Sequence, residues 1–205
     1  MRSRSRSDLP LADHIALVAA DLFYREGIHL VGVDRVAAEA EVTKRTLYRH
    51  FRSKDALIAA ALRRSPKIRF PREGSPRSQI SGAFRAMIDF LKDSDYRGCP
   101  YIIIAAELTD PRHPARVIVN DLVHRRRQWF RDRVAEAGAT SPELLAEQLE
   151  VLFDGALANA TKRGETSPAE AALAAAEALL DAAIAQTKTV RAPRAPRAKV
   201  SRGVA

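Results

Sequence analysis

The sequence has little of what marks a secreted, membrane or fibrous protein. Its one cysteine, Cys99, cannot close an intramolecular disulfide, which excludes a stapled secreted scaffold and suits a reducing cytoplasm. The purest apolar run, Tyr101 to Ala106, falls far short of the ~20 residues of a membrane span. Arginines near the N-terminus are not followed by a signal-peptide core, because Asp13, His14 and Asp21 interrupt the stretch. No segment shows the strict alternation of a half-buried strand. Acidic residues are absent from both ends of the chain.

What is present is a 46% hydrophobic composition, enough to bury a core and to exclude wholesale disorder. The formal net charge of +9 is carried by the ends. Arg2, Arg4 and Arg6 supply three of those charges, and Lys188, Arg191, Arg194, Arg197, Lys199 and Arg202 the other six. Residues 7–187 are therefore balanced, with 25 groups of each sign. A case for nucleic acid must be made locally and not from the pI.

The periodicity predicts an all-α protein of about nine helices. Residues 1–7 read as a disordered basic arm. Residues 8–65 form a first domain, with helices over Pro10 to Arg25, Asp34 to Ala40, Lys44 to Phe51 and Lys54 to Arg64. Thr43 and Ser53 stand where N-caps belong. Residues 66–76, with Pro66, Pro71, Gly74 and Pro76, read as a linker. Residues 77–187 form a second helical domain: Arg77 to Lys92, a short apolar segment Cys99 to Leu108, Ala115 to Ala137, Ser141 to Gly164 and Ser167 to Gln186. Residues 188–205, with Arg-Ala-Pro at Arg191 and again at Arg194, read as an extended low-complexity tail able to reach phosphates.

The helix pair at 34–51 has the dimensions of a helix-turn-helix, whose second helix enters the major groove by its N-terminal residues. Val33, Val36, Ala37, Ala40, Val42, Leu47 and Phe51 can pack the two helices together. The other faces offer Lys44, Arg45, Thr46, Tyr48, Arg49 and His50. From Thr43 to Lys54 the chain carries Lys44, Arg45, Arg49, Arg52 and Lys54 and no acid. A cationic run on a short helix is most often a solvated face; here the spacing and the flanking core residues set it apart.

The string Val33-Asp-Arg-Val-Ala-Ala-Glu-Ala-Glu-Val-Thr-Lys-Arg-Thr-Leu-Tyr-Arg-His-Phe-Arg-Ser-Lys-Asp-Ala-Leu57, preceded by Ala20-Asp-Leu-Phe-Tyr-Arg-Glu-Gly27, resembles the N-terminal pattern of the TetR (tetracycline-repressor-like) regulators over about residues 12–62. The resemblance implies an N-terminal three-helix DNA-binding domain followed by an α-helical ligand-binding and dimerisation domain. It implies that Thr43 caps the recognition helix and touches phosphate, that Lys44, Arg45 and Thr46 face base edges, and that Tyr48, His50 and Lys54 contact phosphates. Arg49 reaches the backbone as well. Arg45 suits base readout best, since a guanidinium can bond guanine O6 and N7 together. Two positions depart from the pattern. Glu41 stands where the turn usually has glycine, and Gly32 replaces a phosphate-binding Ser or Thr.

Residues 77–187 hold no catalytic motif. Cys99, His124 and Glu107 make a conceivable nucleophile, base and orienter, but nothing flanking them supports it. His113 and His124 lack metal-ligand spacing, and no cofactor is expected. The resemblance implies an inducer pocket instead, for which Phe84, Met87, Cys99, Tyr101, Trp129 and Phe153 are the candidates by chemistry. Leu145, Leu149, Leu152 and Ala156, with Leu173, Ala176 and Leu180, recur at helical spacing and suit a four-helix dimer interface. The expectation is a cytoplasmic homodimer that binds double-stranded operator DNA, a repressor released from a palindrome by a small molecule, with no membrane partner. The rival reading is a sequence-tolerant nucleoid-type binder that relies on the basic ends.

Overall fold

The computed structural model describes residues 9–92 and 97–190. All regular structure among them is helical: α1 (Leu11–Glu26), α2 (Val33–Glu39), α3 (Lys44–His50), α4 (Lys54–Arg64), α5 (Pro76–Leu91), α6 (Pro100–Glu107), α7 (Pro114–Glu136), α8 (Pro142–Arg163) and α9 (Ser167–Val190). The all-α expectation and its element order hold. Residues 188–190, expected in the basic tail, continue α9. The N-terminal arm and the rest of the tail lie outside the described residues.

Local chemistry sets the helix starts. The Thr43 hydroxyl accepts from the Thr46 amide at 3.1 Å, and Ser53 does the same for Ala56 at 3.1 Å. Each removes one orphan donor of a helix N-terminus. Proline stands in the first turn of α5, α6, α7 and α8, where its missing N–H costs nothing.

Two apolar clusters organise the molecule. The first gathers Ile15, Ala19, Leu22 and Phe23 of α1, Val36 and Ala37 of α2, Leu47 of α3, and Leu57, Ile58 and Leu62 of α4. It also takes in Tyr101 and Ile104 of α6 and Ala115 and Val119 of α7. The second joins α5, the C-terminal half of α7, α8 and α9 around Phe84, Phe130, Leu149 and Phe153. The division at residue 65 expected from composition is therefore not a division of the core. α6 and the start of α7 belong with α1 to α4.

The proline-rich stretch between α4 and α5 is a packed strap. Ile68 and Phe70 lie against the second cluster, and Phe70 sits 4.6 Å from Trp129 and 5.4 Å from Phe153, centroid to centroid. Pro71 presses on α5 at Gly82, where an added Cβ would come within 2.7 Å of the proline ring. Glycine is what lets the strap lie that close.

The turn between α2 and α3 is a Schellman motif. The Val42 amide bonds to the Ala37 carbonyl at 2.9 Å and the Glu41 amide to Ala38 at 3.1 Å. Such a motif needs a left-handed residue after the cap, usually glycine. Glu41 fills it with φ of 55°, the one non-glycine at positive φ among the described residues. The departure from the family pattern therefore leaves the turn's shape intact and stores strain instead. Glu41→Gly should stabilise the protein by about 0.5–1 kcal/mol, the relief of left-handed strain less the entropy glycine adds to the unfolded chain. Urea melts of the two proteins measure it; equal midpoints would mean the turn is unstrained.

Candidate nucleic-acid interface and its coupled cavity

At 100° per residue, Arg45, Tyr48 and Arg49 share one stripe of α3. All three are exposed, Tyr48 at 42%. Leu47 on the opposite side is 1% exposed and holds the helix to the first cluster. Arg45 and Arg49 form no ion pair among the described residues. Their charge is therefore free to meet phosphate or a base edge.

The other expected contacts divide. Lys44 is exposed but held by Asp34 of α2, Nζ to Oδ1 at 2.9 Å. That carboxylate, through its hydrogen bond first, raises the lysine pKa. An exposed pair of this kind is weak and screened by solvent, so Lys44 can exchange partners on DNA. Thr46 is half-buried, and its hydroxyl lies 2.9 Å from that of Thr43, which turns both toward the cap. His50 is exposed at the end of α3. Lys54, half-buried, opens α4, where free amides already favour an anion.

Behind this surface α6 and the residues before it tie α1 and α4 to the rest of the molecule. The Tyr24 hydroxyl of α1 donates to the Gly98 carbonyl at 2.9 Å and accepts from the Arg97 amide at 2.5 Å. Tyr101 donates to the Leu62 carbonyl in the last turn of α4 at 3.3 Å; burial pushes its pKa up to about 12. At the far end of α6, the Glu107 carboxylate accepts from the Ile28 amide at 3.2 Å, and its carbonyl lies 3.2 Å from His29 Nε2. His113 caps α7, its Nδ1 accepting from the Ala115 amide at 3.1 Å, and its Nε2 lies 3.4 Å from Asp55 of α4.

A cavity of about 210 Å³ opens beside α6. Cys99, Tyr101, Trp129 and Phe153 line it, together with the strap residues Ile68 and Phe70. Phe84 and Met87, expected in the pocket, are fully buried core residues, because their side of α5 faces the second cluster. Burial pushes the Cys99 thiol up, so it stands protonated as a small apolar wall. Cys99 and Glu107 lie at opposite ends of α6, and His124 is exposed on α7. No catalytic triad is assembled from them. Residues 66–76 read as a linker, yet Lys67-Ile68-Arg69-Phe70 alternates polar and apolar residues between prolines, which is the signal of the packed strap.

The residues expected at a dimer interface are placed mostly inside the protomer. Leu145, Leu149, Ala156, Ala176 and Leu180 are 5% exposed or less and belong to the second cluster. The half-buried Leu152 and Leu173 pack on its margin. The open face of α8 and α9 is instead an apolar groove lined by Val151, Leu152, Ala175, Ala178 and Leu179 with Gln148 and Glu147. Val151 is 65% exposed and Leu144 60%. Two apolar stripes run along α8, and of the residues expected at the interface Leu152 is the one that lines the groove.

The fold and the exposed cationic stripe define a helix-turn-helix protein built on an all-helical body. Residues 15–61 match the family model described as bacterial regulatory proteins, tetR family. The chain is 32% identical to a putative TetR-type regulator from Streptomyces avermitilis, with a TM-score of 0.73 over 85% of this chain and 98% of that one. A TetR-family transcriptional regulator from Streptomyces coelicolor is also 32% identical, with a TM-score of 0.71 over 85% and 96%. Among curated relatives, the transcriptional activator FasR of Mycolicibacterium smegmatis is 30% identical over 51% of each chain. TcmR, a transcriptional regulator of Streptomyces glaucescens, is 31% identical over 42% of this chain and 41% of its own. The chain spans about half the length of the curated relatives it matches. It belongs to the TetR family of transcriptional regulators.

Arg45 and Lys54 make a contrasting pair of tests. Arg45→Ala should relax preference at one base pair per half-site, costing about 1–3 kcal/mol there. Lys54→Ala should weaken all sequences alike and make the log–log salt slope shallower by about 1.8 in a two-half-site complex. Titrations on selected and random DNA at several salt concentrations separate these outcomes; an unchanged slope would leave Lys54 solvated only.

Proposed function

We propose that this protein is a homodimeric repressor that leaves a palindromic operator when a small molecule enters the cavity beside α6. The observation that carries this reading is Tyr101. Its ring lines the cavity while its hydroxyl holds the Leu62 carbonyl of α4. A ligand that moves Tyr101 moves α4, and Lys54 at the other end of α4 moves with it. The free energy of ligand binding is thereby spent partly on separating two conformers of the DNA-binding unit.

Dimerisation supplies the second half-site. The exposed groove of α8 and α9 is apolar, and its alanines let helices approach closely, as a four-helix bundle requires. Since Leu149 is wholly buried within the protomer, a charge there would unfold the chain and not just split the dimer. Val151 is the informative position.

The site is recovered by selecting bound sequences from a random DNA pool. The expected product is a two-fold symmetric sequence; uniform recovery would favour the sequence-tolerant reading. Val151→Arg should place unpaired like charges in the bundle, give a folded monomer in sedimentation and lose most operator affinity. A variant that stays dimeric would move the interface elsewhere. With the selected site overlapping a promoter, the unliganded protein should lower transcription in vitro, and higher transcription would make it an activator.

A further inference from the structure

The walls of the cavity carry information about what enters it. Its floor is made by Phe153 and Leu157, both 1% exposed. Its rim is marked by the exposed Lys67 and Arg125. Three charged side chains line it, Lys67, Arg125 and Arg126. All are cationic.

They are not equivalent. Arg126 is already spent: it binds Glu150 at 3.2 Å and Asp154 at 2.7 Å, and its guanidinium lies 5.3 Å from the centre of the Phe153 ring. It packs the wall. Among the described residues Arg125 is held only by Asp121, one turn back on the exposed face of α7, at 3.1 Å. Such a pair is readily traded for a better anion. Lys67 forms no ion pair among the described residues. The rim therefore offers two cations, and among the described residues no acid lines the cavity to receive a cationic ligand.

The interior suits a ring. Phe70, Trp129 and Phe153 meet edge to face, with centroids 4.6 Å apart for Phe70 and Trp129 and 5.4 Å for Phe70 and Phe153, the arrangement that aromatic guests extend. At about 210 Å³ the space is below the ~300–1,000 Å³ of drug-sized pockets, which limits the guest to a compact body.

We propose that the cavity takes a compact aromatic or branched hydrocarbon acid, its body among Phe70, Trp129 and Phe153 and its carboxylate between Lys67 and Arg125. This rests on the reading of the cavity as the effector site. Trp129 is the single tryptophan of the chain, so its emission reports this cavity alone.

The probes are 4-tert-butylbenzoate, its amide and 4-tert-butylbenzylammonium, titrated against full-length protein with excitation of Trp129. The acid should shift the emission saturably and bind about tenfold more tightly than the amide, as a charge-assisted contact implies; the ammonium should bind more weakly still. The Lys67→Gln/Arg125→Gln double variant, changed only at exposed positions, should bind acid and amide alike, the amide serving as the check on an intact cavity. Equal binding of acid and amide by the unchanged protein would overturn the acid class and leave the cavity an effector site for neutral guests. A preference that survived in the double variant would overturn the assignment of the carboxylate to Lys67 and Arg125. No shift with any probe would overturn both this inference and the effector-site reading.

Discussion

The structure depends on the placement of one short helix. α6 is eight residues long, yet its N-terminal end borders both apolar clusters, and Cys99 packs against each of them. Tyr101 belongs to the core of the DNA-binding helices and to the wall of the cavity at once. Protein interiors are close-packed and do not deform continuously. On the proposed reading, a guest that displaces Tyr101 changes how α6 meets α4, because the Tyr101 hydroxyl holds the Leu62 carbonyl. The hydrogen bonds from Tyr24, Tyr101 and Glu107 give that contact direction as well as area.

Electrostatics and apolar exposure then divide the surface by task. The exposed cations of α3 stand where few carboxylates compete for them, whereas the arginines of α7 are largely paired, Arg126 with Glu150 and Asp154, Arg127 with Glu147 and Arg131 with Glu143. Positive charge is thus left available on α3 and largely neutralised along α7. Apolar side chains also line an open groove on α8 and α9, at Val151, Leu152 and Leu179, far along the chain from the recognition helix. A family member working on two half-sites needs this separation of surfaces, because the same protomer must bind DNA and its own copy simultaneously.

The element order and the helix-turn-helix were legible in the sequence because they rest on local rules. Thr43 and Ser53 cap as their positions suggest, and the stripe of Arg45, Tyr48 and Arg49 follows from the helical repeat. Glu41 was recognisable as a departure, and the structure shows it in the left-handed conformation that the turn requires. What periodicity could not supply was which of two apolar stripes faces inward. Leu149 and Val151 lie two residues apart on α8, one buried and one exposed, and only tertiary packing distinguishes them. The same limit explains Phe84 and Met87, apolar residues suited to a pocket by chemistry but turned into the core by the phase of α5. The strap at Ile68 and Phe70 was hidden by its prolines, which mark irregular backbone whether that backbone is loose or packed.

The central claim is that cavity and DNA-binding surface share one equilibrium through α6. Linkage makes this measurable, since two coupled ligands must alter each other's affinity by the same factor. The direct measurement is a Trp129 fluorescence titration with 4-tert-butylbenzoate, run without DNA and again at saturating selected operator. The account predicts weaker binding of the acid in the presence of operator, by the factor with which the acid weakens operator binding. Identical titration curves in the two conditions would contradict it.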